Sequence, residues 1–345
     1  MKCRTNMSLR SPEAAIAKRF RQQLIFLCRA LSIAGLMIAM ECVAAGSYPN
    51  RPIRLVVPLA AGSSTDYFAR LIATALSQSL GEPVVVDNKP GADGAIGATE
   101  VSKAAPDGYT LMLATNGSMS AVPAMRKVPP YDPLSDFSPI SMIGNYTMFL
   151  YVSAATPATS VKQLLAYARA NPGKLNYAAG STGGVIATEQ MLTQGGDLTM
   201  VRIPYKGEPP AVTDLASNRV QVMFGTMTTA DAFVKGGRLR VLATTRRQRS
   251  TLLPDVPTMT EAGLPQFSFY GGWSGMFGPA NMPKEIVDRL SREVNAALAQ
   301  PSIREQLDRQ FFSVQGSTPA ELAAYMREQL DVYARAYRAL GIEPE

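Results

Sequence analysis

From residue 48 onward, short runs rich in β-branched residues alternate with stretches of helical periodicity. The first run, residues 53–57 (IRLVV), is almost entirely apolar, which is typical of a strand buried on both faces. Parallel strands need a crossover connection, usually a helix, so this alternation predicts parallel sheets covered by helices. A chain of 345 residues is long for one compact domain and suits two lobes of ~150 residues. The expected fold class is therefore α/β with two lobes.

The expected elements fall into two series along the chain. Strands are expected at 53–57, 83–86, 109–113, 175–179, 201–203, 220–224, 238–243 and 267–277. Helices are expected at 65–80, from 97 to 104, at 161–170, around 189–192, around 214–215, and at 283–299, 302–310 and 319–340. The second series starts after residue 150, and the run 267–277 is expected to cross back toward the first. We therefore expect one lobe from 48–150 plus 272–345 and the other from 151–271.

The first 45 residues differ in composition from the rest. Their basic residues are Lys2, Arg4, Arg10, Lys18, Arg19, Arg21 and Arg29. An apolar run at 30–40 follows, and then small residues at 44–47, which together are typical of a secretory signal peptide. The run is shorter than the ~20 residues of a spanning helix. We expect a signal peptide over 1–45, cleavage near Ala45 and export to the periplasm; an uncleaved membrane anchor is the alternative.

This leader accounts for most of the positive charge. It holds seven of the 34 Lys and Arg residues and two of the 27 Asp and Glu residues, so the net charge is +7 with it and +2 without it. Nucleic acid binding needs a sustained basic face, so nucleic acid is not expected as a partner. Cys3, Cys28 and Cys42 also lie in the leader, and the exported chain is expected to contain neither a disulfide nor a thiol.

The chain contains no histidine. Its absence excludes Ser-His-Asp and Cys-His catalytic arrangements and histidine zinc sites. Loss of the cysteines with the leader would also remove thiol nucleophiles. Paired carboxylates or a Ser-Lys dyad stay open, although neither has a signature here. We expect no enzymatic activity, no metal and no cofactor; the glycine-rich stretch 91–97 does not directly follow a strand, which argues against a dinucleotide.

Four loops that follow predicted strands combine glycine with small hydroxyl or amide side chains: 62–66, 115–118, 180–184 and 225–228. In open α/β sheets, ligands lie outside the carboxyl ends of the strands, and the N–H groups that begin a helix favour an anion. The residues expected to bind a ligand here are Gly62, Ser63, Ser64, Thr65, Asp66, Asn116, Gly117, Ser118, Gly180, Ser181, Thr182, Gly183 and Thr226. The alternative is that the hydroxyl residues only cap helices and that Asp66, which would repel a carboxylate, fixes its loop.

An ordered set of short motifs runs through the whole chain after the leader. Its segments are 52–54 (PIR), 57–58 (VP), 88–92 (NKPGA), 106–111 (PDGYTL), 131–133 (YDP), 136–137 (DF), 204–207 (PYKG), 210–211 (PA), 214–215 (DL), 254–258 (PDVPT) and 261–265 (EAGLP), together with Trp273, Gly275, Phe277 and Pro279. Each motif alone is weak. The ordered set resembles the receptors of the tripartite tricarboxylate transporter family, also called Bug-type periplasmic solute-binding proteins.

The resemblance implies a two-lobed periplasmic binding protein of type II, a Venus flytrap in which each lobe is a mainly parallel sheet flanked by helices. It implies a small carboxylate-bearing ligand, held between the loop 58–66 and the glycine-rich loop of the second lobe. Leu59 and Tyr205 therefore join the expected binding residues. It also implies a two-component membrane permease as the docking partner, and we expect a monomer.

Several positions depart from the pattern of that family. Ser63 takes the place of a second glycine, Leu59 stands where phenylalanine is frequent, and Gly225 stands where aspartate is frequent. The second-lobe loop is about two residues shorter than usual. These changes touch the expected pocket and leave the identity of the carboxylate open.

The sequence therefore predicts an exported receptor that captures a small carboxylate between two lobes for uptake by a tripartite tricarboxylate-type transporter. Two alternatives stay open. The protein could be the ligand-sensing partner of a membrane signalling protein, because sensing needs the same clamp. It could also be a periplasmic enzyme that uses Asp66 or Glu189 as a base, although the missing histidine argues against this.

Overall fold

A computed structural model describes residues 48–269, 271–339 and 344. The expected signal peptide lies outside these residues, so its cleavage stays a prediction. Residues 48–50 belong to a separate N-terminal unit and are irregular, whereas the chain from Arg51 onward forms one compact unit with two sheets.

The unit from Arg51 onward is built from strands and helices that alternate over most of its length. The strands are β1 (Ile53–Val57), β2 (Val84–Asn88), β3 (Thr110–Thr115), β4 (Phe137–Tyr146), β5 (Met148–Ser153), β6 (Asn176–Ala179), β7 (Val201–Pro204), β8 (Val222–Thr226), β9 (Leu239–Thr244), β10 (Trp273–Pro279) and β11 (Phe312–Val314). The helices are α1 (Ser64–Leu80), α2 (Ala95–Ser102), α3 (Val122–Met125), α4 (Val161–Ala170), α5 (Thr182–Gln194), α6 (Glu208–Ala216), α7 (Met227–Lys235), α8 (Lys284–Ala299), α9 (Pro301–Arg309) and α10 (Pro319–Ala339). A 3-10 turn (Ala92–Gly94) precedes α2, and a π-helical turn (Gly117–Ala121) precedes α3.

The first sheet has six strands in the order β11-β4-β10-β3-β1-β2. β1 lies parallel to β2 and β3, while β10 is antiparallel to β3 and β4, and β11 is antiparallel to β4. The second sheet has five strands in the order β7-β6-β8-β5-β9. β6 lies parallel to β7 and β8, while β5 is antiparallel to β8 and β9.

The two-lobed α/β fold class is confirmed, but the sheets are mixed rather than mainly parallel. The reason lies in the connections between the sheets. The chain leaves the first sheet through β4, enters the second through β5 after one residue, Thr147, and returns through β10. Because β4 leads out and β10 leads back, they run in opposite directions where they pair. The second sheet takes all its strands from Met148–Thr244, whereas the first takes its strands from both sides of that segment.

The return to the first sheet starts later than expected. The sequence predicts a strand over 267–277, but β10 begins at Trp273. Phe267 is 2% exposed and stacks on Phe224 of β8, with ring centroids 6.0 Å apart, so it packs in the core of the second sheet. The strand can begin only after the chain has left that core.

Helix ends follow the signals in the sequence. Ser160 caps α4 by accepting a hydrogen bond from the backbone N–H of Gln163, as expected from its position. Gly81 ends α1 in the left-handed conformation, with φ of 78°.

Within 48–269 and 271–339, no helix has the length and apolar character needed to cross a membrane.

Gly144 of β4 lies very close to β11. A Cβ at Gly144 would be 2.2 Å from the carbonyl oxygen of Ser313, and the φ of Gly144 is +155°. We expect Gly144→Ala to lower the free energy of unfolding by roughly 2–4 kcal/mol in urea titrations, because the backbone of β11 must move and the φ disfavours a side chain. Gly173→Ala is the control: its φ is +70°, but a Cβ there would meet nothing within 4 Å. Equal losses in the two variants would contradict the importance of the contact with β11.

Candidate ligand-binding pocket

A cavity of about 270 Å³ lies at the carboxyl ends of strands from both sheets. The loops after β1, β2 and β3 contribute to it from the first sheet, and those after β6, β7 and β8 from the second. Tyr146 and Met148, at the crossing from β4 to β5, and Gly272, just before β10, complete the lining. This is the place where open α/β sheets bind ligands.

Most of the residues expected to bind a ligand line this cavity. They are Leu59, Ser64, Thr65, Asn116, Gly117, Gly180, Ser181, Thr182, Gly183, Tyr205 and Thr226. Gly62, Ser63, Asp66 and Ser118 are not among its lining residues. Direct contact of any of these residues with a ligand stays a prediction.

Two helices begin at the cavity with the same cap. Ser63 precedes α1, and its hydroxyl accepts a hydrogen bond from the N–H of Asp66. Ser181 precedes α5, and its hydroxyl accepts one from the N–H of Gly184. In each helix the cap satisfies the third N–H, while the first two have no partner within the helix. These N–H groups belong to Ser64 and Thr65 in α1 and to Thr182 and Gly183 in α5, all of which line the cavity.

The hydroxyl groups around the cavity differ in their availability. The side chains of Ser64 and Thr182 have no hydrogen-bond partner in the described part of the chain. The Thr65 hydroxyl instead lies 2.8 Å from the Tyr146 hydroxyl. Burial raises the pKa of Tyr146 to about 12, so this phenol is protonated at neutral pH. The hydroxyls of Ser64 and Thr182 are therefore not engaged by described residues, whereas the Thr65 hydroxyl is engaged by Tyr146.

Asp66 organises the loop before α1. It accepts hydrogen bonds from the N–H of Gly62 (2.9 Å) and the amide of Asn88 (3.0 Å), and it pairs with Arg70 at 2.9 Å. Burial alone would raise the pKa of Asp66, but Arg70 and the two hydrogen bonds outweigh it and hold the pKa below its usual range. The alternative that Asp66 fixes its loop therefore describes its contacts better than ligand binding does.

Two other expected binding residues are engaged within the first sheet's loops. Ser118 is fully buried, and its hydroxyl donates to the carbonyl oxygen of Thr115. Asn116 lines the cavity, but its amide donates to the Tyr333 hydroxyl (2.6 Å) and its carbonyl oxygen accepts from the N–H of Trp273 (3.2 Å). Asn116 thus joins the loop after β3 to α10 and β10.

The second sheet contributes a buried carboxyl group that the sequence analysis missed. Glu208, the first residue of α6, lines the cavity and is 7% exposed. Its Oε2 accepts hydrogen bonds from the N–H (3.1 Å) and hydroxyl (2.6 Å) of Thr226 and from the hydroxyl of Thr229 (3.0 Å). Burial raises the pKa of Glu208, and these hydrogen bonds only partly offset it. The only signal in the sequence was a glutamate directly after the 204–207 motif.

Thr226 and Tyr205 have partners inside the protein. The Thr226 hydroxyl donates to Glu208, and the Tyr205 hydroxyl donates to Asp214 at 2.9 Å. Burial and the neighbouring Asp214 raise the pKa of Tyr205 to about 12. Both residues line the cavity, but their hydroxyls are engaged by other residues of the protein.

The segment 90–94 also lines the cavity and was missed. Gly91, Ala92, Asp93 and Gly94 have φ values of 128°, 48°, 55° and 94°. Glycine adopts positive φ without strain, whereas Ala92 and Asp93 hold a conformation that is unfavourable for residues with a side chain. The glycines at 91 and 94 were the available signal in the sequence, but their spacing resembles a nucleotide motif more than a wall of a carboxylate pocket.

The structure has two mixed sheets flanked by helices, and a ligand-sized cavity lies at the carboxyl ends of strands from both. This arrangement defines a two-lobed periplasmic binding protein. The model of the tripartite tricarboxylate transporter family receptor matches residues 68–342. The chain belongs to this family of solute-binding receptors, and the resemblance seen in its motifs is confirmed.

Individual relatives agree with this assignment. Protein BugT of Bordetella pertussis is 35% identical over 327 residues, which cover 91% of this chain and 98% of BugT. Rpa4515 of R. palustris, solved with adipate, is 32% identical with a TM-score of 0.83, covering 87% of this chain and 100% of that structure. MatC (Rpa3494) of Rhodopseudomonas palustris, solved with malate, is 30% identical with a TM-score of 0.78, covering 84% of this chain and 99% of that structure.

The cap of α5 gives a direct test of local stability. We expect Ser181→Ala to lower the free energy of unfolding by about 1 kcal/mol, because the N–H of Gly184 loses its partner. Thr182→Ala is the control: its hydroxyl has no described partner, so the change should stay within about 0.5 kcal/mol. Urea unfolding of the ligand-free protein measures both values. A similar loss in the two variants would contradict the assigned cap.

Asp66 predicts a dependence of stability on pH. Its pKa is lowered in the folded protein, so its contribution is complete above the pKa of the unfolded chain and disappears as the pH falls through the folded pKa. Asp66→Asn should therefore be less stable than wild type near pH 7 and approach it in acid. Glu321→Gln is a positive comparison: the Thr318 N–H lowers the pKa of Glu321 as well, so this variant should show a pH dependence in the same direction. A stability difference for Asp66→Asn that is constant with pH would contradict this role.

Proposed function

We propose that this protein is a periplasmic receptor that captures a small carboxylate in the cavity between its sheets. The observation that carries this proposal is the pair of helix N-termini, each with two N–H groups at the cavity lining. Helix N-termini attract anions through their free N–H groups and dipoles. Ser64 and Thr182 add two hydroxyl donors beside them.

This arrangement suits a carboxylate without an arginine. A hydrogen bond to a charged group contributes ~1.5–3 kcal/mol, so several N–H and hydroxyl donors can hold one carboxylate. The cavity, at about 270 Å³, lies just below the ~300–1,000 Å³ usual for ligand pockets and favours a small ligand. The adipate and malate in two similar proteins support the same class of ligand here.

Uptake is the proposed use of this binding. Membership of the receptor family supports delivery of the ligand to a two-component membrane permease. With it we propose export with cleavage near Ala45, a monomeric receptor, and lobes of 48–150 plus 272–345 and 151–271. A receptor that serves a membrane sensor would need the same cavity, so the cavity does not distinguish sensing from transport. The family assignment favours transport.

The alternative of an enzyme depended on Asp66 or Glu189 as a catalytic base, and neither residue is placed for that role. Asp66 is held by Gly62, Asn88 and Arg70, and it does not line the cavity. Glu189 accepts a hydrogen bond from the Tyr177 hydroxyl at 2.6 Å and also lies outside the lining. We therefore propose binding without turnover.

The test is a thermal-shift screen of the purified protein against mono-, di- and tricarboxylates. A ligand at a hundredfold its Kd adds about 2.7 kcal/mol of apparent stability, so a true ligand gives a clear rise in Tm. Thr182→Ala should weaken binding of that ligand roughly tenfold through the loss of one hydrogen bond to a charge. Stabilisation by neutral sugars or cations alone would overturn the proposal, and product formation from a stabilising ligand would favour the enzyme.

A further inference from the structure

Glu208 presents an unusual group to a cavity with anion-binding helix ends. All three hydrogen bonds to its carboxyl group from described residues reach Oε2, and Oε1 receives none. No described lysine or arginine forms an ion pair with Glu208. The side chain is more than nine-tenths buried and lines the cavity. Glu208 thus lines the cavity and has one carboxyl oxygen, Oε1, to which no described residue donates a hydrogen bond.

Oε2 of Glu208 accepts from three donors, so a proton on this carboxyl group would lie on Oε1. The Thr226 N–H can only donate, and the Thr226 and Thr229 hydroxyls converge on the same oxygen. A buried charge with no counter-charge is costly, and it is stabilised by a proton or by a neighbouring cation. Lys206 lines the same cavity but makes no described ion pair with Glu208, so a ligand can supply that cation.

The carboxyl group of Glu208 lies beside Gly225, near the end of β8. A Cβ at Gly225 would lie 3.7 Å from Cδ and Oε2 of Glu208. The Glu208 carboxyl group therefore occupies space beside the end of β8 that a longer side chain at 225 would enter.

Glu208 is also a neighbour of an anion-binding helix end. A Cβ at Gly180 would lie 3.1 Å from the Cα of Glu208, and Gly180 is two residues before the first helical residue of α5. The unpaired N–H groups at the start of α5 and the carboxyl group of Glu208 thus belong to adjoining segments. This suits a ligand that carries positive and negative charges close together.

We propose that Glu208 is a specificity residue that selects carboxylates bearing an ammonium group. The ammonium binds Oε1 of Glu208 while a carboxylate of the same molecule binds the N-termini of α1 and α5. This inference rests on the proposed function, because it assigns the second half of the same site.

The experiment compares ligand pairs that differ by one ammonium group: aspartate with succinate, glutamate with glutarate, and 2-aminoadipate with adipate. Titration calorimetry at pH 7 measures each Kd for wild type and for Glu208→Gln, which keeps an oxygen for the Thr226 N–H. For the ligand pair that binds more tightly, the wild-type Kd of the amino ligand should be at least about tenfold lower than that of its partner without ammonium. Glu208→Gln should abolish this ratio, chiefly by weakening the amino ligand. Glu189→Gln, the same change outside the cavity, should leave the ratio unaltered.

A wild type that binds the carboxylates without ammonium as tightly as their amino partners overturns the role of Glu208 and leaves the proposed function standing. An unchanged ratio of the two Kd values in Glu208→Gln also overturns the role of Glu208 and leaves the proposed function standing. Failure of every carboxylate to bind overturns both proposals. If Glu208→Gln does not fold, wild-type titrations in two buffers of different ionisation enthalpy replace it. Ligands without ammonium should then take up more protons on binding than their amino partners, and equal uptake overturns the inference.

Discussion

The structure depends on the passage of one chain between two sheets. Thr147 alone separates β4 from β5, and the return strand β10 lies beside β4 in the first sheet. The crossings touch: the N–H of Tyr146 donates to the carbonyl oxygen of Gly272 at 2.8 Å. Glycine is required there, because a Cβ at Gly271 would lie 2.0 Å from the carbonyl oxygen of Tyr146. This constraint joins the sheets closely enough for residues at the crossings to line the cavity.

The crossing also explains how distant segments come to share one site. Gly272 approaches the side chain of Asn116, whose amide holds both β10 and α10 through Trp273 and Tyr333. The carboxyl ends of β1 and β3 are thereby placed opposite those of β6 and β8. The serine caps of α1 and α5 each satisfy one N–H group, and the N–H groups that they leave unpaired are the proposed carboxylate donors. Glu208 adds a carboxyl group to the same cavity, and we propose that it distinguishes ligands with an ammonium group from those without one.

Local signals predicted the elements whose ends are marked by capping residues or glycine. α1 and α4 begin and end close to their expected residues, and β1 lies where its apolar run predicted. No strand was expected over 137–153, where β4 and β5 form. β4 contains Pro139 and Gly144, which disfavour a strand locally, and its pairing with β10 and β11 decides its conformation. Such long-range pairing leaves no local pattern to detect.

The sequence by itself determined the α/β class, the loops that open helices at the strand ends, the lack of histidine chemistry and the family. Each of these depends on composition, on short-range spacing or on motifs in order. Only the tertiary structure decided that the sheets are mixed, that Asp66 and Ser118 support loops, and that the Ser181 hydroxyl is a cap. It also decided that Glu208 faces the cavity. The physical reason is that a polar side chain acts through the partners it meets, and those of Glu208 lie on β8 and α7, eighteen or more residues further along the chain.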